Sequence, residues 1–285
     1  MNWIESMREA IKYIENGLED DLKMEDIAAK ALISPFYFQK AFSLLCGFTV
    51  GEYIRNRRLA AAGNDLLTTD EKIIDIAMKY RYDSPDSFTK AFTRFHGSTP
   101  TGVRKNGQTI KVFAPLKLKF LLEGGYIMDY KIIEKEAFQV IGASKTFNSE
   151  TAYKEIPAFW AQHYQMGKGN DICGTYGVCI EESQNGQEFQ YLIADDYDAE
   201  KNLPDEFKIF EIPRHTWAIF PCVGSMPKAL QDVNTKIFSE WLPNCMEYQI
   251  AGGYNIEYYT DPHDYEKGTQ DEKYYSEIWI PIEKK

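Results

Sequence analysis

The chain has 285 residues, 44% of them hydrophobic and 26% charged, and a formal net charge of −11, a length expected to fold as two domains of about 100–200 residues each. No apolar run approaches the roughly 20 residues of a membrane span, and the charged opening MNWIESMREAIKYIENG lacks the apolar stretch of a signal peptide. Five cysteines without a C-x-x-C argue against a disulfide framework or a structural zinc site and for reduced thiols in the cytoplasm.

The charge is unevenly placed. Residues 1–110 carry 15 basic and 15 acidic side chains, and residues 111–285 carry 17 and 28. Within the first part, residues 22–110 hold 13 basic against 9 acidic side chains. The N-terminal part is therefore able to approach phosphate. The acidic surplus of the remainder reads either as solvated surface or as a preference for cationic ligands.

In chain order, Ile4, Met7, Ile11, Ile14 and Leu18 form a first helical stripe. A second helix carries Ile27, Ala28 and Ala31. Ser34 then reads as an N-cap and Pro35 as the first helical residue, where its missing N–H costs nothing. Phe38, Ala41 and Phe42 share the inward face, while Tyr37, Gln39 and Lys40 fall elsewhere. Thr49 and Glu52 have capping-box spacing and open a long helix bearing Arg55, Arg57 and Arg58. The TTDE at 68–71 is expected to start the next helix. SPFYFQKAF at 34–42 recurs as SPDSFTKAF at 84–92, Gly47 and Gly97 follow at the same spacing, and DIA at 26–28 recurs at 75–77. A repeat of this kind marks a duplicated structural unit: here helix, turn, helix, given twice in an all-helical part. Short capped helices with outward polar side chains suit entry into DNA grooves, and two on a rigid connector suit successive major-groove faces.

Residues 8–106 resemble the DNA-binding domain of the AraC/XylS family, carried by IAAKALISPFYFQKAFSLLCGFTVGEYIRNRRLAAA and IIDIAMKYRYDSPDSFTKAFTRFHGSTPTGVRK. The resemblance implies that Phe36, Gln39 and Lys40 occupy base-contacting positions of the first recognition helix, and Pro85, Asp86, Thr89 and Lys90 those of the second. Arg55, Arg57 and Arg58 are taken as further DNA contacts. Lys40 and Lys90 stand where the family often has Arg, and Leu32 and Arg81 where it often has Gly.

Residues 111–127, punctuated by Pro115 and Gly124-Gly125, read as a connection between a reader at 1–110 and a second domain at 128–285. In the second domain β-branched and aromatic residues rise. Strands are expected at 130–133, 137–144, 175–181, 189–194, 207–212, 216–222, 254–260 and 274–282, with helices at 153–166 and 227–242. The order strand, strand, helix, strand, strand, given twice, predicts a duplicated α+β unit with two helices on one antiparallel sheet.

This part resembles the GyrI-like effector-binding domain, as joined to an AraC-type reader in Rob-like regulators. The carriers are FQVIGASKTF, EIPRHTWAIFPCVGSMPKA, YNIEYYTDP and SEIWIPI. The resemblance implies an amphipathic, often cationic ligand held in a cleft between the halves. In the last strand, alternation puts Tyr275, Glu277 and Trp279 on one face and Ile278, Ile280 and Ile282 on the other, which should pack on the helices. Glu257 and Tyr259 likewise share a face. A carboxylate among aromatic rings suits a cation, which makes Glu277, then Glu257, the expected counter-charge, with Trp160, Tyr164, Trp217, Tyr259 and Trp279 as walls.

The histidines lack metal-ligand spacing, and no phosphate loop or dinucleotide fingerprint appears; no cofactor and no metal are expected. The leading reading is a non-enzymatic, ligand-responsive transcription regulator with double-stranded DNA and a small effector as partners. The alternatives are a GyrI-like hydrolase fused to a reader, and a regulator acting through a protein such as RNA polymerase without a ligand.

Overall fold

The computed structural model describes residues 3–106, 109–117, 128–181, 187–201 and 204–285. Residues 118–127, including Gly124-Gly125 of the expected connection, lie outside the described residues, as does Gly107.

Seven helices occupy the described part of the first region: α1 (Trp3–Asn16), α2 (Met24–Ala31), α3 (Pro35–Cys46), α4 (Val50–Thr68), α5 (Ile73–Lys79), α6 (Pro85–His96) and α7 (Pro100–Asn106). The repeat in sequence is a repeat in capping. Ser34 accepts from the Tyr37 amide and Ser84 from the Ser87 amide, each with Pro at the first helical position. Gly47 (φ 76°) and Gly97 (φ 82°) close α3 and α6 in the left-handed conformation, which only glycine adopts without a Cβ penalty. Leu32 (φ 58°) and Arg81 (φ 67°) take the same conformation in the two inter-helix turns with a side chain in place. Thr49 and Glu52 form both arms of the capping box of α4.

One expected helix start is corrected. Thr68 and Thr69 close α4 rather than open α5: their hydroxyls donate back to the Asn64 and Asp65 carbonyls. Helix α5 begins only at Ile73. Helix α7 was not expected, although Thr99 caps it by accepting from the Gly102 amide. Phe88 and Phe92 pack with Leu59, Leu66, Ile76 and Val103 as the core of the second unit. Within α4, Gly63 makes room for His96, whose Cε1 lies 2.9 Å from where a Cβ would stand.

The second region is a nine-stranded sheet in which every pairing is antiparallel. Its elements are β1 (Lys131–Lys135), β2 (Phe138–Asn148), α8 (Ala152–Gln165), β3 (Tyr176–Ile180), β4 (Glu188–Asp196), β5 (Lys208–Ile212), β6 (His215–Val223), α9 (Lys228–Lys236), β7 (Tyr248–Ile250), β8 (Tyr254–Tyr259) and β9 (Tyr275–Lys284). Helix α9 continues through a π turn, Ile237–Trp241. The strand order is β1-β6-β9-β8-β3-β4-β2-β5, with short β7 pairing with β9.

The two halves, β1-β2-α8-β3-β4 and β5-β6-α9-β8-β9, meet where β3 pairs with β8. Each half lends its first strand to the outer edge of the other: β1 pairs with β6, and β5 with β2. Both helices cover one face. There Ile278, Ile280 and Ile282 pack with Ile237, Phe238, Phe159 and Trp160, as the alternation of β9 predicts. That core is continuous with the first helix-turn-helix unit, since Phe36, Tyr37, Phe38 and Phe42 belong to the same buried cluster. The opposite face gathers Trp217, Trp279, Tyr176, Val178 and Ile256.

Candidate functional site

The two recognition helices meet different surroundings. On α6, Asp86, Ser87, Lys90 and Arg94 are exposed and Thr89 is half-buried. Ser87, Lys90, Ala91 and Arg94, spaced as one helical face, line a cleft of about 850 Å³ with Arg55, Arg58 and Arg81. Asn148, Glu150 and Gln187 of the sheet domain stand on its other side. The cleft is therefore basic on the reader side, the electrostatic requirement for holding a phosphate backbone.

On α3, Phe36 is 5% and Gln39 8% exposed. The Gln39 side-chain amide donates to the Pro35 carbonyl at 3.3 Å. The Phe36 ring lies 5.2 Å from Phe189 of β4, and Lys40 donates to Asn255 of β8. In this arrangement Phe36 and Lys40 face the sheet domain, while Gln39, on the same helix, lines the basic cleft with Arg55, Ser87 and Lys90.

Two arginines expected on DNA are internal clamps. The Arg57 guanidinium donates from Nε and Nη2 to Glu15, at 2.9 and 2.7 Å, and from Nη1 to the Phe113 carbonyl at 2.5 Å. Arg58 donates to the Leu18 and Asp20 carbonyls at 2.8 and 2.7 Å. The reason lies in the tertiary path: the ends of α1 and residues 113–116 run past α4, and an arginine fork satisfies the carbonyls and carboxylate they bring. Arg55 is exposed at the basic cleft.

In the sheet domain the expected wall residues divide between two faces. On the helix-covered face, at the seam of the halves, Gly177 of β3 sits opposite Glu257 of β8. A Cβ on Gly177 would stand 2.2 Å from the Tyr191 hydroxyl and 3.1 Å from Glu257 Oε2, so only glycine leaves this floor open. Glu257 accepts from Tyr259 at 2.8 Å and Tyr191 at 3.2 Å. Tyr191 in turn accepts from the Trp160 indole at 2.9 Å. Tyr164 stacks on Trp160 at 6.0 Å, and Tyr259 meets it edge-on at 5.5 Å. Burial, then the Glu257 charge, push the Tyr191 and Tyr259 hydroxyls well above their ordinary pKa, so both stay protonated donors. Among the described residues no cationic side chain lies within ion-pairing distance of Glu257.

Glu277 lies on the other face and is already partnered. It accepts from Lys131 at 3.0 Å, Tyr275 at 2.7 Å and Trp279 Nε1 at 2.6 Å. Burial opposes its charge, but those three donors outweigh it and hold the carboxyl below the ordinary value. Trp217 is fully buried beside Trp279. The expected residues thus separate: Glu277, Trp217 and Trp279 gather on one face with Lys131 as partner, while Glu257, Trp160, Tyr164 and Tyr259 converge on the other. Tyr191, which completes the second group, was missed. Its only trace in sequence is a glycine inside strand β3, a sign of close approach; which residue approaches is settled by strand pairing.

Among the described residues no group of three His, Cys, Asp or Glu could hold a metal ion, and no helix is long and apolar enough to cross a membrane.

A duplicated helix-turn-helix beside a basic cleft, fused to a two-helix antiparallel sheet, defines a DNA-binding transcription regulator with an effector-binding domain. Residues 131–282 match the family described as integron-associated effector binding protein, and residues 27–106 match a helix-turn-helix domain family. The chain belongs to the integron-associated effector binding protein family, and its helical part is an AraC-type DNA-binding domain. The TetD protein of transposon Tn10 from Escherichia coli is 38% identical over 100 residues, 35% of this chain and 72% of that protein. The right origin-binding protein of Escherichia coli K12 is 31% identical over 145 residues, 50% of this chain, and the match spans 48% of that protein's length. One solved structure, of a protein bound to tetraphenylphosphonium, covers 55% of this chain and 94% of its own at 24% identity and a TM-score of 0.47.

Proposed function

We propose that this regulator, with its reader in residues 1–110 and its sensor in 128–285, works in the cytoplasm and answers to an amphipathic organic cation bound beside Glu257. The observation that carries the reading is the state of Glu257: a half-buried carboxylate held by two tyrosine hydroxyls, flanked by Trp160, and without a cationic partner among the described residues. A cation entering there gains the Coulomb attraction of the carboxylate, plus roughly 0.5–2 kcal/mol for each well-placed ring face. Burial holds the Cys179 and Cys222 thiols up at about 12, and protonated thiols are poor nucleophiles, which counts against these two cysteines in catalysis; the alternative, a hydrolase with a Glu as general base, is separated from a sensor by turnover of the bound compound.

The test is calorimetric titration of the full chain with tetraphenylphosphonium and with neutral triphenylphosphine oxide. Glu257→Gln is expected to weaken the cation about tenfold or more, the scale of a lost charge-assisted contact, and to leave the neutral compound nearly unchanged. Glu277→Gln is expected to change neither selectively. Equal cation binding by wild type and Glu257→Gln overturns the reading.

A further inference from the structure

The two copies of the repeat spend the same helix differently. At matched positions α6 shows Asp86, Ser87 and Lys90 to solvent, whereas α3 has Phe36, Tyr37 and Lys40, and buries both rings. Phe36 rests on Phe189 at 5.2 Å, and Tyr37 lies 6.3 Å from Phe238 beyond α9. The Tyr37 hydroxyl donates to the Tyr254 carbonyl and Lys40 to Asn255. The Phe36 amide, at the free N-terminal end of α3, donates to Glu181 Oε1 at 2.9 Å. A carboxylate of the sensor thereby takes the kind of donor that a DNA phosphate seeks at a helix N-terminus. Asn255 and Glu257 are successive residues on one face of β8, about 7 Å apart by strand rise, so the Lys40 contact of the docked helix lies beside the aromatic groove.

We propose that α3 has two exclusive partners, the sensor groove and DNA. The structure then represents the self-docked form, in which only α6 can read a major groove, and a cation seated at Glu257 favours the undocked form. The exclusion follows from geometry, because Phe36 and Lys40 cannot face β4, β8 and Glu181 and base edges at once. The cation's part rests on the effector reading above; the docking does not. For the cation to act it must bind the undocked form more tightly, since equal affinity for both would shift nothing. The Lys40 ammonium, bonded to Asn255 one strand repeat from Glu257, is the positive charge of α3 that leaves this end of the sheet when the helix undocks.

Hydroxyl-radical footprinting and affinity measurement test this with the full chain, on a duplex enriched from a random-sequence library. Glu181→Gln removes the carboxylate that caps α3 without touching a DNA-facing residue. Glu134→Gln, at an exposed pair with Arg214, makes the same charge change elsewhere. Wild type and Glu134→Gln should protect one major-groove segment. Glu181→Gln should bind about threefold more tightly or better and protect a second segment about 10 base pairs away. Amides of residues 35–46 should exchange faster in Glu181→Gln, with α6 unchanged. Matching footprints, affinity and exchange in Glu181→Gln and Glu134→Gln overturn the docking. Adding tetraphenylphosphonium should move wild type to the Glu181→Gln pattern. Glu257-dependent binding of the cation with no change in α3 exchange or footprint overturns the coupling and leaves the effector reading standing. Failure of the cation to bind overturns the effector reading and the cation's role, while the Glu181→Gln comparison still decides the docking.

Discussion

Lys40 of α3 donates its ammonium to the side-chain oxygen of Asn255 on β8. Its counterpart one repeat later, Lys90, is exposed at the basic cleft. The same residue type, in the same register of a duplicated motif, thus serves two surfaces. What separates them is the neighbour at the head of the helix: aromatic Phe36 and Tyr37 favour burial in α3, and polar Asp86 and Ser87 favour water in α6.

The Glu277 cluster is expected to be a matter of stability and not of ligand choice. Glu277→Ala leaves the Trp279 indole and the Tyr275 hydroxyl without their acceptor, at about 1–3 kcal/mol for each buried donor. Thermal unfolding should move down by several degrees, with tetraphenylphosphonium affinity in the folded protein unchanged. A selective loss of cation binding instead would return the ligand site to this face.

The arginines of α4 and the cations of α6 should separate in salt titrations. Arg94→Ala is expected to weaken all DNA sequences alike and to lower the salt slope by about 1, whereas Lys90→Ala, at an expected base-contacting position of α6, should weaken the preferred sequence most and relax base preference. Arg57→Ala, which abandons Glu15 and the Phe113 carbonyl, should lower the melting temperature and leave the salt slope of the remaining folded protein unchanged.

Leu32 and Arg81 hold left-handed backbone with a side chain attached, which costs about 1–2 kcal/mol relative to glycine. Glycine gives back part of this through the greater freedom of its unfolded chain. Leu32→Gly and Arg81→Gly are each expected to raise the melting temperature by a degree or two. A fall would show that the side chains contribute more than the strain they impose.

Stability should decline on mild acidification through His96. Its Nε2 lies 2.9 Å from the Leu59 carbonyl and its Nδ1 accepts from the Lys111 amide at 2.9 Å, a pattern only the neutral ring satisfies. Burial is the main cause of its lowered pKa. The unfolded chain therefore takes up a proton near pH 6.5 that the folded chain refuses. Stability is fully present above that pH and falls as pH drops towards the depressed native value. His215, lowered by burial as well, acts with the same sign. Unfolding measured from pH 7.5 to 5.5 should show the slope in wild type and a smaller one in His96→Gln.

The local features are legible in the order of residues alone. The paired Ser-Pro caps, the closing glycines and the Thr49–Glu52 box act within one helical turn, so adjacent residues specify them. The alternation of β9 likewise assigned Ile278, Ile280 and Ile282 to the helix-covered face, because pleating permits only two sides. The remaining features come from long-range packing. It exchanged β1 and β5 between the halves, brought Tyr191 and Trp160 to Glu257, and gave Glu277 its partner in Lys131, 146 residues away. It also turned Arg57 inward and laid α3 on the sheet. Each of these depends on which distant segment arrives opposite a given side chain, and hydrophobic burial and charge pairing are indifferent to separation along the chain.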